Sequence, residues 1–471
     1  MEQIELDKSL KTRHITMISI GGIIGTGLFI GTGKNIMSTG PATIISYFLA
    51  CMIIVFIMRM LGEMAATKPE NGSFAAYSGR FIGPWAGFTV GWLYWISWVF
   101  IVGLEAAVIG GIFNSWFPMV PVWVGSVGIT VILTGLNLYS VKTFGEFEYW
   151  LAFIKVSAII LFLIVGVTMI LGINPNFEYK GLGFISDAGG FAPKGILPIF
   201  TGIVFVIFSI SGAEVAAIAA GESENPKRNI IRAINNVVYR LGLFFVGSVL
   251  VMIMIIPWND TKALAAPYAN ILKMAGFPLA GEVMQFVIFV SLISVMNSAL
   301  FTSSRMLLGM AEKGDAPAIF KHVSKRNAPT WAILGSTIVA YICAILYFLS
   351  PDVIFYFLGN AVGALMIIVY IFIAIAHIRF RREYERTQTE PLAIKMWLFP
   401  YLTYLTIAVL LGVYVCQIFI PSLRAQFYLS TAFFIITVAV FFFKDKKIKA
   451  YQLGNPYQHA DVDNGTKSQN M

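Results

Sequence analysis

Charge is scarce in this 471-residue chain. Only 12% of its residues are Asp, Glu, Lys or Arg, while 58% are hydrophobic and the mean hydropathy is +0.79. Soluble domains carry about 25% charged residues, so a water-soluble globular protein is excluded. Cysteine is nearly missing. Cys51, Cys343 and Cys416 all lie in apolar runs, where they read as small hydrophobes and not as disulfides or metal ligands. The four histidines, His14, His322, His377 and His459, fall outside or at the ends of such runs, which leaves no His/Cys cluster with metal spacing. There is no Walker-type phosphate loop and no nucleophile with a plausible triad, so nothing suggests an enzyme. A cleavable leader is also lacking: Met1 to Arg13 is polar and the first apolar run has no small-residue exit. The net charge of +9 would suit nucleic acid, but its distribution indicates a membrane.

Long apolar runs are what the chain has instead. Runs of roughly 17–25 residues, each able to cross a bilayer as a helix, recur about twelve times. Their approximate limits are 16–37, 41–62, 85–115, 121–141, 149–172, 196–220, 234–257, 280–307, 331–349, 353–378, 398–420 and 427–443. The expected fold class is an all-α polytopic membrane protein. Lys and Arg set its orientation. They crowd the N-terminal tail (Lys8, Lys11, Arg13), the connections from even to odd spans (Lys227, Arg228, Lys313, Arg381 and Arg382 among them) and the C-terminal tail from Lys444. Opposite connections hold only Lys34, Lys180, Lys194, Lys262, Lys273 and Arg424. This roughly fourfold bias places both termini in the cytoplasm. Most tryptophans sit at run ends as interface anchors, whereas Trp92, Trp95 and Trp98 lie deeper.

Two runs are interrupted. The first contains Gly21-Gly22-Ile23-Ile24-Gly25-Thr26-Gly27-Leu28-Phe29. Four glycines so close together weaken a plain helix. Irregular backbone survives in a bilayer only where protein or a water-filled cavity satisfies it. The run therefore reads as a broken helix whose second half starts around Thr26 and Gly27, with free N–H groups and a positive dipole end suited to a carboxylate. On the glycines alone, a helix that merely packs closely on a neighbour is an equal alternative. The sixth run carries Ser209, Ser211, Gly212 and Glu214 at its centre. A carboxylate there marks a functional site by default, and Ser-x-Ser-Gly can free backbone carbonyls. Matched interruptions in two halves of a chain point to a transporter's binding site.

Several motifs together resemble the amino acid permeases of the amino acid–polyamine–organocation superfamily. They are Gly21–Phe29, Phe208–Glu214, Gly221–Pro226, Phe144–Trp150, Gly83–Phe88 and Asn297–Met306. The likeness extends over nearly the whole chain. Ser140–Lys142 and Met396–Thr403 are similar to the bacterial γ-aminobutyrate permease-like subgroup. The resemblance implies a LeuT-type fold: inverted five-helix repeats at 16–172 and 196–378, then two peripheral helices within 398–443. A cytoplasmic tail at 1–15 precedes them and a disordered one at 444–471 follows. It also implies proton-coupled uptake. Thr26 and Gly27 match the positions whose N–H groups hold the substrate carboxylate. Gly22 and Gly25 allow close backbone approach, and Ile23 offers a carbonyl to the ammonium. Phe208 matches the aromatic that closes over the substrate. Carbonyls of Phe208, Ser209 and Ser211, beside Gly212, are candidates for the ammonium. Glu214 matches an acidic position linked to proton movement, with a structural carboxylate bonded to helix N–H groups as the equal alternative.

Lys155 in span five reads as a snorkelling lysine on its residues alone. The resemblance implies instead that it approaches the unwound first span, where sodium sits in sodium-coupled members, and takes part in proton coupling. Glu105 in span three has no local neutralising group. It meets a substrate ammonium, pairs with Arg240 or carries a proton. Since the charges of a γ-amino acid lie far apart, Glu105 is the candidate for an acceptor distant from Thr26. Asn297 and Asn360 are side-chain specificity candidates. Glu63, Glu146, Glu148 and Glu222 are expected to make gate or capping contacts at cytoplasmic ends. The expected function is import of amino acids by proton symport, with γ-aminobutyrate or related ω-amino acids as substrate. Symport or exchange of small neutral α-amino acids is the alternative, and a non-transporting sensor is the rival from another class. H+ is the expected coupling ion, with no cofactor or metal. The expected partners are an amino acid and the lipid of a bacterial plasma membrane, and not nucleic acid.

Overall fold

The computed structural model describes residues 17, 22–67, 73–139, 141–179, 181, 183–187, 189–215, 226–324, 328–349, 351–387 and 391–454. The tail 1–15, Gly21, Ser140, the stretch 221–225 with Glu222, and residues 455–471 lie outside the described residues. Among the described residues every regular element is a helix. Nine helices among the described residues are long and apolar enough to cross a membrane. The chain is an all-α polytopic membrane protein, as its composition requires.

Most of these helices are apolar on all sides, so position in the bundle and not amphipathicity decides which are enclosed. Span three (Pro84–Trp116) and span eight (Ala280–Glu312) are 33 residues each. At 1.5 Å per residue each is about 50 Å long, well beyond the ~30 Å hydrocarbon core. They pack along each other, and span ten packs on span three. Span ten is the most enclosed, with 89% of its apolar window inside the protein against 17% for span twelve. Spans four, eleven and twelve therefore present most of their surface to lipid.

Helices overrun the limits that hydropathy sets. Span ten was expected to stop at 378 but continues to Thr387. Its last turns are charged, and Arg381 pairs with Glu385 one turn on (2.6 Å), an arrangement that keeps a helix intact in water. Span seven begins at Pro226, with proline in the first turn where its missing N–H costs nothing, and passes through a π turn at Leu241–Val246. Span twelve continues to Gly454, past the start expected for the disordered tail.

A strap, residues 391–400, joins spans ten and eleven and is tied to span two (Thr43–Thr67). The Met396 N–H donates to Glu63 Oε2 at 2.6 Å. Arg59 donates to the Lys395 carbonyl at 3.0 Å, and its guanidinium lies 4.1 Å from the Trp397 ring centroid. Glu63 is fully buried. Its other oxygen accepts from Arg381 at 2.7 Å and lies 3.3 Å from His377 Nε2. The contact expected between Glu63 and a nearby arginine is present.

Candidate substrate site between spans one and six

Span one is broken where its glycines lie. Residues 22–25 are not helical, a helix resumes at Thr26, and its first turn is a π turn, Gly27–Gly31. The Gly25 carbonyl accepts from Leu28 N and Phe29 N, each at 3.2 Å. The dipole end at Thr26 does face a carboxylate, and it belongs to the chain itself. Glu105 Oε1 accepts from the Thr26 hydroxyl at 2.9 Å and from the Thr26 N–H at 3.5 Å. Both residues are buried. Gly25 is required here, since a Cβ would stand 3.0 Å from Glu105 Oε1 and 2.9 Å from Val295. Glu105 is thus not the distant acceptor expected for a long substrate. It sits at Thr26 because a buried carboxylate needs donors and the helix break supplies them.

Span six is helical over Leu197–Ile210 and leaves the helix at Ser211 (ψ 131°). Gly212 has φ +119°, a conformation open to glycine and strained for other residues. Its N–H faces both carboxylate oxygens of Glu214 at 3.3 Å, and Tyr370 donates to Oε2 at 3.4 Å. This is the arrangement of the structural alternative for Glu214. The two breaks meet. A Cβ on Gly212 would lie 2.5 Å from the Gly22 carbonyl oxygen, and one on Gly27 would lie 2.5 Å from the Ser209 Cα. Ile23 is buried, and its N would lie 3.5 Å from that Gly212 Cβ. The Ser209 and Ser211 hydroxyls donate to the carbonyls of Phe205 (3.0 Å) and Ile207 (2.9 Å). The Phe208 carbonyl accepts from Ser211 N at 3.1 Å. The Phe208 ring is buried, 5.4 Å from Phe205 between centroids and against Gly359.

Lys155 does not snorkel. It is fully buried, and its Nζ donates to the Ile24 carbonyl in the span-one break at 3.2 Å and to Ser294 Oγ at 2.8 Å. Ser294 in turn donates to Glu148 Oε1. Asn297 donates to Glu148 Oε2 at 3.4 Å and accepts from Asn137 at 2.9 Å. Glu148, expected to make a gate or capping contact, lies near the start of span five and is wholly buried. It stands seven residues before Lys155, two turns away on the same helix face. That spacing is the signal that reveals it. Asn297 supports Glu148 and does not face open space. Asn360 lies elsewhere. It lines a cavity of about 460 Å³ with Lys34, Phe205, Ser422 and Gln426, and neither Thr26 nor Glu105 borders that cavity.

The site thus gathers three carboxylates and one ammonium away from water, all linked to the two breaks. Charges so enclosed are kept for function or for specific pairing. Comparison with known proteins agrees. A profile of the family described as "Amino acid permease" matches residues 14–452. The γ-aminobutyric acid permease of Bacillus subtilis is 45% identical over 462 residues, 98% of each chain. That of Escherichia coli K12 is 41% identical over 424 residues, 90% of this chain and 91% of the relative. The aromatic amino acid transport protein AroP of Corynebacterium glutamicum is 38% identical over 429 residues, 90% and 92% of the two chains. With its many apolar helices and two helix breaks in contact, the chain belongs to the amino acid permease family of membrane transporters.

Proposed function

We propose that this permease imports γ-aminobutyrate or a related ω-amino acid together with a proton. The observation that carries the reading is the span-one break, where a helix N-terminus at Thr26 is already occupied by a carboxylate. Likeness to permeases named for γ-aminobutyric acid supports the substrate class. The substrate carboxylate takes the Thr26 and Gly27 N–H groups, and its ammonium faces the span-six break near Gly212. Glu105 competes for the same donors. A proton on Glu105 removes its charge and weakens its hold on Thr26, so proton and substrate enter together. Lys155, bonded to Ile24, and Glu214, bonded to Gly212, each touch one break, where a change of protonation alters the backbone that receives the substrate.

The larger frame belongs to the same proposal. Spans one to five and six to ten form inverted repeats of a LeuT-type fold, both termini face the cytoplasm, and the protein sits in a bacterial plasma membrane. Radiolabelled γ-aminobutyrate uptake into proteoliposomes tests it, with and without an inward proton gradient. Gradient-driven accumulation, competed best by ω-amino acids, is the expected result. Accumulation indifferent to the gradient would remove proton coupling and leave exchange. α-Amino acids are the second reading, favoured by the relatives named as aromatic amino acid transport proteins. They, with alanine, glycine and serine, form the other competition arm. Binding without uptake would indicate a sensor.

A further inference from the structure

We propose that Glu148 is a further proton-binding site of this permease, joined to Lys155 through the hydroxyl of Ser294. The inference rests on the proton-symport reading above.

The donors already point in line. Lys155 Nζ donates to Ser294 Oγ at 2.8 Å, and the same hydroxyl donates to Glu148 Oε1. A hydroxyl accepts and donates at once, so it can pass a proton without moving. In the step, the Ser294 O–H bond breaks as its proton joins Glu148 Oε1. A Lys155 N–H bond breaks as that proton joins Ser294 Oγ. Ammonium and carboxylate become amine and carboxylic acid, Ser294 is regenerated, and no charge is created or lost. Lys155, Ser294 and Glu148 are each 0% exposed, so no bulk water competes with the relay. Away from water, two ions and their neutral pair lie closer in free energy than they do in solution.

The surroundings fit a site that holds and releases a proton. Asn297, braced by Asn137, donates to the second Glu148 oxygen and fixes the carboxylate facing Ser294. Glu105, beyond Ile24 and Gly25 on span three, is the other charged group acting on Lys155. Loss of a proton from Lys155 weakens its bond to the Ile24 carbonyl, and so loosens the span-one break as the proton arrives at Glu148. Glu148 stands near the start of span five, on the side that the distribution of Lys and Arg makes cytoplasmic. From there the proton leaves when the inner half of the bundle opens.

The test uses the full chain in proteoliposomes with γ-aminobutyrate as probe. Two rates are compared for each variant: accumulation driven by an inward proton gradient, and counterflow exchange at equal pH. Glu148→Gln and Ser294→Ala should each lower the ratio of accumulation to exchange at least about tenfold. Ser294→Thr, which keeps the hydroxyl, should restore it. Unchanged ratios in Glu148→Gln and Ser294→Ala would overturn the relay. So would equal losses in Ser294→Ala and Ser294→Thr, since packing and not the hydroxyl would then matter. The wild type separates the two levels. If it shows no gradient-driven accumulation, symport and relay fall together. If it does and the variants match it, only the relay falls.

Discussion

Gly27 and Gly212 are the residues on which the contact between the two breaks depends. Gly27→Ala would place a Cβ 2.5 Å from the Ser209 Cα, a backbone atom that cannot swing aside. Overpacking of this kind costs about 1–3 kcal/mol, so we expect a lower thermal midpoint in detergent and loss of uptake. An alanine variant that transports normally would mean that the breaks do not need this contact. Glu105→Gln keeps an acceptor for Thr26 but cannot ionise. Its uptake should lose most of its dependence on external pH, measured as initial rates over a pH series. An unaltered profile would remove Glu105 from the coupling. Sequence alone exposed much at this scale, because intramembrane glycines and lone charges are anomalies. Gly25, Thr26, Glu105 and Lys155 stood out and do come together. Glu148 did not, and the reason is physical. Hydropathy sets a span's limit where charges gather, and the group Lys142, Glu146 and Glu148 puts the start of span five at 149. A buried glutamate at a span end is thereby assigned to water. The bond of Glu105 to Thr26 was also invisible, since nothing in the spacing of residues 79 apart links them.

Among the elements, helix breaks were legible and helix ends were not. Hydropathy reports where lipid stops, whereas a helix stops where its hydrogen bonds do. Span ten shows the difference, running helical through Arg379, Arg381 and Arg382 to Thr387. The overrun places Arg381 against Glu63. Glu63→Ala would leave Arg381, His377 and the Met396 N–H facing a void. Removing one partner of a buried pair costs about 3–5 kcal/mol, so a fall in thermal midpoint is expected, readable by a thiol- or tryptophan-based unfolding assay. Replacing both partners by apolar residues, Glu63→Leu with Arg381→Met, should recover most of the loss. A Glu63→Ala protein as stable as wild type would show that the strap contributes nothing to the fold.

Taken whole, the molecule follows from its shortage of charge, and this is why the fold class was the plainest reading. The relative depth of its helices was not readable. Spans five and ten are equally apolar, yet 39% of one window and 89% of the other are enclosed. Lipid tails are as apolar as a protein interior, so hydropathy cannot tell one from the other. Orientation gives a prediction at this scale. In a background with Cys51, Cys343 and Cys416 replaced by alanine, Lys194→Cys should react with a membrane-impermeant thiol reagent on intact cells. Arg382→Cys should react only after permeabilisation. The reverse pattern would invert the topology.

The strap at 391–400 has a consequence for a protein that meets changing salt. Glu63 has no solvent exposure, and its bonds to Arg381 and Met396 are 2.7 and 2.6 Å long. Mobile ions screen exposed charges within about 10 Å at 0.1 M but reach enclosed pairs far less. An osmotic upshift that dissolves surface ion pairs leaves this tie intact. The hold of the strap on span two is therefore set by geometry, and this end of the bundle keeps the same stiffness in dilute and in concentrated salt.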